Sequence, residues 1–149
     1  MNLLQLNILE LEYPEWDAIC IPINGIINKQ ERLVMGAGLA FDAKCKFKEL
    51  DKRFGRYIVD NGLHVCCAFY DELMVVGVPT KIHYSNNSSK SLIKQSLIEL
   101  QRLADLYELK KVAVPLLGCG NGRLNKYEVL QMMNEYLDNK VFQVVDTNV

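Results

Sequence analysis

Pro115-Leu116-Leu117-Gly118-Cys119-Gly120-Asn121-Gly122-Arg123-Leu124 is the stretch whose reading decides the fold. The apolar run Val112-Ala113-Val114-Pro115-Leu116-Leu117 feeds it, and three glycines fall within five residues. Asn125 and Glu128 then stand at the spacing of a helix N-cap and its capping-box partner. Strand, glycine loop and helix, in that order, are how α/β proteins build an anion site. Bare glycine backbone lets N–H groups close on phosphate oxygens, and a helix N-terminus adds partial positive charge. Neither the Walker lysine pattern nor G-x-G-x-x-G is present here, so the two commonest nucleotide motifs do not apply. A plain turn that needs glycine for tight geometry reads equally well from this loop alone.

A second loop shifts the balance. Val34-Met35-Gly36-Ala37-Gly38-Leu39-Ala40 also puts glycines at a helix start, and Leu39, Ala40, Ala43, Phe47 and Leu50 share one face of the helix that follows. Upstream, the apolar run Ala18-Ile19-Cys20-Ile21-Pro22-Ile23 ends in Asn24-Gly25. Two glycine loops at two strand ends can hold a diphosphate between them.

The chain has 149 residues, half of them hydrophobic, and a formal net charge of −1. That suits one domain with a sizeable core, spanning 1–149. There is no secretory leader and no apolar stretch of about 18 residues, so a cytoplasmic protein is expected. Five cysteines without metal-like spacing fit a reducing compartment and give no metal site. Near-neutral charge argues against strong nonspecific nucleic-acid binding. The local exception is Lys44, Lys46, Lys48, Lys52, Arg53 and Arg56, either a solvated helix face or a polyanion contact that leads a strand toward the cleft.

Along the chain, strands are expected at Leu3–Leu11, Asp17–Ile23, Leu63–Tyr70, Glu72–Val78, Lys111–Leu117 and Val141–Val145. Helices are expected at Gly38–Leu50, Lys52–Asp60, Ser89–Glu108 and Lys126–Asp138. Asn28 to Arg32 is polar and reads as a protruding flap, with Lys29 or Arg32 able to reach a substrate phosphate. Alternating strands and helices imply a mixed, largely parallel sheet between helix layers, an α/β/α architecture.

Taken in order, Asp17-Ala18-Ile19, Asn24, Met35-Gly36-Ala37-Gly38-Leu39-Ala40 and Pro115 through Gly122 resemble the macro domain family, whose members bind ADP-ribose. The resemblance runs from about Asn7 to Val145. It is closest to the branch of DarG-type antitoxins, terminal ADP-ribose hydrolases and short phage-type macro proteins. The segment Val78-Pro79-Thr80-Lys81-Ile82-His83-Tyr84 carries that branch's lysine. The family's three-layer architecture agrees with the pattern of elements.

The resemblance assigns roles to residues that would otherwise be read plainly. Asn24, by itself a turn-forming Asn–Gly pair, would contact the distal ribose. Asn7 falls where many members carry an aspartate that recognises the adenine amino group; its carbonyl can accept from the same donor. Lys81, by itself a lysine at a strand end, would be catalytic at the anomeric carbon of the distal ribose. Lys81 and Asn24 are therefore the expected catalytic residues. Gly36, Ala37, Gly38, Gly118, Cys119, Gly120, Asn121 and Gly122 are the expected ligand-binding residues. Cys119 has no His or Asp placed to activate it as a nucleophile. His83 and His64 read as packing residues. The terminal hydrolases carry a catalytic aspartate where this chain has Gly122, and the usual Leu-Asp-Trp after the loop is Leu124-Asn125-Lys126 here.

The expected function is ADP-ribose binding with hydrolysis of ADP-ribosyl groups from a macromolecule, an ADP-ribosyl glycohydrolase that needs no cofactor and no metal. The expected partner is an ADP-ribosylated macromolecule, with nucleic acid one candidate, no membrane, and a monomeric protein. A non-catalytic binder or sponge, and an ADP-ribose 1″-phosphate phosphatase, are the competing readings.

Overall fold

The structure, a computed structural model, describes residues 3–120 and 122–147. In chain order the elements are β1 (Leu3–Gln5), a 3-10 turn (Ile8–Glu10), β2 (Ala18–Ile23), α1 (Gly38–Lys46), α2 (Leu50–Asn61), β3 (Cys66–Tyr70), β4 (Leu73–Pro79), α3 (Lys90–Leu106), β5 (Val112–Pro115), α4 (Lys126–Tyr136) and β6 (Phe142–Asp146). The strands form one sheet in the order β1-β6-β5-β2-β4-β3. Every pairing is parallel except the β3–β4 hairpin, which turns at Asp71 with φ of 54°. This is the mixed, largely parallel α/β sheet that the alternation of elements predicts.

The central strands are apolar along their whole length because both faces are covered. Ile19, Ile21 and Ile23 of β2 pack with Phe47, Leu50 and Phe54 from the α1–α2 side. The alternate residues Ala18 and Cys20 pack with Leu97, Leu100 and Met133 from α3 and α4. Two core layers on either side of one sheet give the three-layer architecture.

Several element ends differ from the sequence reading; β3, for one, begins at Cys66 and not at Leu63. The run from Leu3 to Leu11 is a strand only to Gln5; the Asn7 side chain accepts from the Leu9 N–H at 3.1 Å and turns the chain into a 3-10 turn. The helix expected to reach Leu50 stops at Lys46, and Glu49 at φ 64° resets the chain before α2. Asn125 caps α4 as expected, through Tyr127 and Glu128 N–H, but the Glu128 carboxylate pairs with Lys90 instead of returning to the cap.

Parallel strands put their carboxyl ends on one edge, where open α/β sheets bind ligands. Asn7, Asn24, Lys81 and Gly118 all follow strand ends on that edge. The β2–β5 ladder stops at Ile19↔Ala113. Beyond it, Pro22 and Pro115 have no N–H to extend the pairing, so these two strands part beneath the glycine loops.

Candidate functional site

The first loop is organised by Asn24. This side chain is 8% exposed. Its Oδ1 accepts from the Ile26 N–H at 2.9 Å, and its Nδ2 donates to the Val34 carbonyl at 2.8 Å. It thereby ties the end of β2 to the segment that enters the glycines. One amide hydrogen and one carbonyl lone pair remain for a ligand. Gly36, Ala37 and Gly38 are exposed. α1 begins at Gly38, with φ of 59°, and its N-cap residue Ala37 makes no side-chain cap bond. The first N–H groups of α1 therefore have no side-chain acceptor at the cap.

The segment between Asn24 and those glycines is not a free flap. Ile27 bridges Leu33, and Asn28 Oδ1 accepts from the N–H groups of Gln30 and Arg32. Arg32 is spent on Asp51 at 2.9 Å and Glu49 at 3.2 Å. Leu33 N–H donates to Asp51 O, and a Cβ on Gly55 would lie 2.3 Å from Glu31 O. The hairpin is clamped along α2, so Arg32 is not held out toward a substrate phosphate.

The second loop leaves β5 through buried Leu117. Gly118 takes φ of 72°, a conformation that L side chains rarely adopt. Leu124 N–H donates to Gly118 O at 2.9 Å and Arg123 N–H to Gly120 O at 3.1 Å, which curls the loop on itself. A Cβ on Gly120 would meet nothing within 4 Å, whereas one on Gly122 would lie 2.0 Å from Ser88 Oγ. Asn121 lies outside the described residues. Cys119 is half-buried with Sγ against Leu117 O. Burial pushes its thiol up, with Lys126 pulling weakly the other way, so it is held as the thiol and not as a nucleophile.

Lys81 follows β4 on the same edge. Thr80 N–H donates to Ile23 O at 3.0 Å, and Gly25 N–H donates to Ile82 O at 2.7 Å, so Lys81 runs alongside Asn24-Gly25. Ser89 N–H donates to Thr80 O at 2.9 Å, which pinches the 81–88 loop closed at its neck. Lys81 is partly exposed and has no ion-pair or hydrogen-bond partner among the described residues. His83 organises its own loop: Nδ1 faces Ser85 N–H and Oγ, and the ring stacks on Tyr84 at 4.2 Å. His64 pairs with Glu99 at 3.0 Å and anchors the start of β3 to α3.

Two members of the basic cluster, Lys48 and Arg53, lie away from this edge, while Lys46 donates to Leu9 O in the turn after β1. Arg53 donates to Phe69 O, and Tyr70 Oη donates to Lys48 O. Phe69 and Tyr70 pair with Met74 and Leu73, at the start of β4 and so at the opposite end of the sheet. Trp16 is buried under Lys111, 4.4 Å from its ring centroid, and offers no stacking face. Among the described residues no group of three His, Cys, Asp or Glu side chains could hold a metal ion. No helix of the described residues is long and apolar enough to cross a membrane. Ser88, buried with its hydroxyl facing Gly122, has no place in the sequence reading, where it is one more serine ahead of a helix cap.

A family model described as the macro domain matches residues 32–133. A DNA ADP-ribosyl glycohydrolase of Mycobacterium tuberculosis is 29% identical over 112 residues, which cover 67% of this chain and 30% of that protein. The chain thus spans under a third of the length of the curated relatives it matches. The macrodomain of Thermus aquaticus DarG superposes with a TM-score of 0.81 at 22% identity, covering 97% of this chain and 95% of that one. Thermosipho africanus DarTG in complex with ADP-ribose superposes with a TM-score of 0.77 at 23% identity, covering 89% and 38%. At these identities the two superpositions carry the fold.

Proposed function

Because the chain belongs to the macro domain family, matched over residues 32–133, we propose that it binds ADP-ribose and hydrolyses ADP-ribosyl groups from a macromolecular acceptor. The observation that carries the reading is the convergence of Asn24, Lys81 and two glycine loops on one carboxyl edge, with the lysine unpaired among the described residues. The amides of Gly36–Gly38 and Gly118–Gly122 hold the diphosphate, with the α1 N-terminus adding its dipole. The free amide hydrogen of Asn24 fixes the distal ribose, and Asn7 faces the adenine. Lys81 acts at the anomeric carbon. There the bond to the acceptor breaks, the oxygen of water ends on the carbon and its proton on the leaving group.

The relatives named DNA ADP-ribosyl glycohydrolase favour a nucleic-acid base as the acceptor. A binding module without turnover is the second reading. It is favoured by the lack of any carboxylate among the described residues of the two glycine loops. One panel separates these readings. The protein is titrated with ADP-ribose by calorimetry, then incubated with ADP-ribosylated single-stranded DNA, ADP-ribosylated protein and ADP-ribose 1″-phosphate. Release of ADP-ribose from the DNA is expected. Binding without release from any substrate makes it a binder, and absence of binding at millimolar ADP-ribose refutes the function.

A further inference from the structure

Ser88 has no role in the site as built so far. It is 8% exposed, yet its hydroxyl has no hydrogen-bond partner among the described residues. Buried hydroxyls nearly always have one. No described side chain carries a sealed, unpartnered polar atom, so Ser88 Oγ keeps an opening to solvent.

The surroundings of the hydroxyl say what it faces. A Cβ built on Gly118 would come within 2.9 Å of Ser88 Oγ, and one on Gly122 within 2.0 Å. The hydroxyl therefore points into the second glycine loop, filling the space that a side chain at position 122 would take. Backbone bonds hold it there. Ser88 N–H donates to Gly122 O at 3.0 Å, and the Ser89-to-Thr80 bond returns Ser88 to the same loop neck as Lys81. An unspent donor thus lies against the glycine loop, at the neck of the loop that carries Lys81.

We propose that Ser88 is a ligand-binding residue whose hydroxyl donates to the ribosyl phosphate at the distal end of ADP-ribose. This inference rests on the ADP-ribose reading above. If the loop amides take the diphosphate and Lys81 meets the distal ribose, a donor against the one loop and at the neck of the other meets the phosphate that joins the two. Charge-assisted hydrogen bonds of this kind are the stronger class. The glycines at 118 and 122 then have a second reason to lack side chains: both leave room for the Ser88 hydroxyl.

The test compares wild type and Ser88→Ala for binding of ADP-ribose and of AMP, which lacks the distal ribosyl phosphate, together with thermal denaturation. Ser88→Ala is expected to weaken ADP-ribose about tenfold or more, leave AMP unchanged, and leave the melting temperature unchanged or raised. Equal ADP-ribose affinity in the two proteins overturns the proposal while the ADP-ribose reading stands. A parallel loss for AMP, or a melting temperature lower by several degrees, also overturns it, because the serine would then be shaping the loop. A wild type that does not bind ADP-ribose overturns the underlying reading and this inference with it.

Discussion

The loop glycines divide into two classes, and the division predicts opposite phenotypes for one substitution. A Cβ on Gly118 would lie 2.7 Å from Ser88 Cβ, and its φ of 72° is unfavourable to any L side chain. A Cβ on Gly122 would lie 2.0 Å from Ser88 Oγ and 2.6 Å from the Gly118 carbonyl oxygen. Rotating the Ser88 hydroxyl away would leave the contacts with Ser88 Cβ and with the Gly118 carbonyl oxygen in place. Overpacking of this kind costs about 1–3 kcal/mol, and a left-handed φ adds about 1–2 kcal/mol at Gly118. Gly118→Ala should therefore cost roughly 3 kcal/mol, which for a chain of this size lowers the melting temperature by about 6–12 °C. Gly122→Ala should fall in the same range.

Gly36 and Gly120 are the opposite case. A Cβ at either meets nothing within 4 Å, and neither has a positive φ. Their alanine variants should melt within about 2 °C of wild type, since an open surface substitution costs under about 0.5 kcal/mol. If these loops cradle the diphosphate, a methyl at either position displaces a phosphate oxygen, and ADP-ribose affinity should fall about tenfold or more, or 1.4 kcal/mol. The assay is thermal denaturation with and without ADP-ribose, beside calorimetry. Wild-type affinity in both Gly36→Ala and Gly120→Ala would refute the cradle. A wild-type melting temperature in Gly122→Ala would refute the Ser88 wedge.

Three further outcomes follow from the same geometry. Lys81→Ala should abolish turnover and keep ADP-ribose affinity within a few-fold, because the lysine acts on the bond being broken; undiminished turnover removes it from the mechanism. Arg32→Ala should cost about 1 kcal/mol or less, as for a part-exposed ion pair, and leave ADP-ribose affinity unchanged; a tenfold loss would mean the hairpin reaches the ligand. Burial works to raise the Glu99 carboxyl, but hydrogen bonds from Gln95, the Val65 N–H and His64 outweigh it and hold the group below its ordinary 4.5. A folded value below the unfolded one gives stability that is present above about pH 4.5 and lost as pH falls through the folded value. Glu99→Gln should therefore lose stability less steeply below pH 4.5 in urea titrations, and identical slopes would contradict that account.

Much of the fold is legible in the sequence because buried parallel strands must be apolar on both faces. The runs at Ala18–Ile23, Leu73–Pro79 and Val112–Pro115 announce themselves that way. The two glycine loops are legible for a related reason: where backbone must come close to something, side chains vanish. What the sequence hides is set by contacts distant along the chain. Nothing in Asn28 to Arg32 tells that Arg32 will reach Asp51 and Glu49, so a polar hairpin reads as a lid. Lys48 and Arg53 read as neighbours of the first loop, yet they lie beside Tyr70 and Phe69 at the far end of the β3–β4 hairpin. Ser88 is hidden most deeply, because its partner is an absence, the missing side chain of Gly122.

That absence changes how the departure at position 122 is to be understood. Read along the chain, Gly122 is a departure from the aspartate expected of a terminal hydrolase. In three dimensions the position is occupied by a hydroxyl supplied from the β4–α3 loop, and a carboxylate at 122 would collide with it. Gly122→Asp would thus add a charge where Ser88 already stands, at the overpacking cost argued above. Gly122 and Ser88 are sterically coupled: one wall of the loop carries the hydroxyl, and the facing wall is bare. The β2–β5 ladder ends at Ile19↔Ala113, short of the strand ends from which Asn24 and the second glycine loop depart. The bare glycines, Asn24, Lys81 and Ser88 thus meet on one carboxyl edge of the sheet, with the serine hydroxyl standing where a side chain at 122 would go.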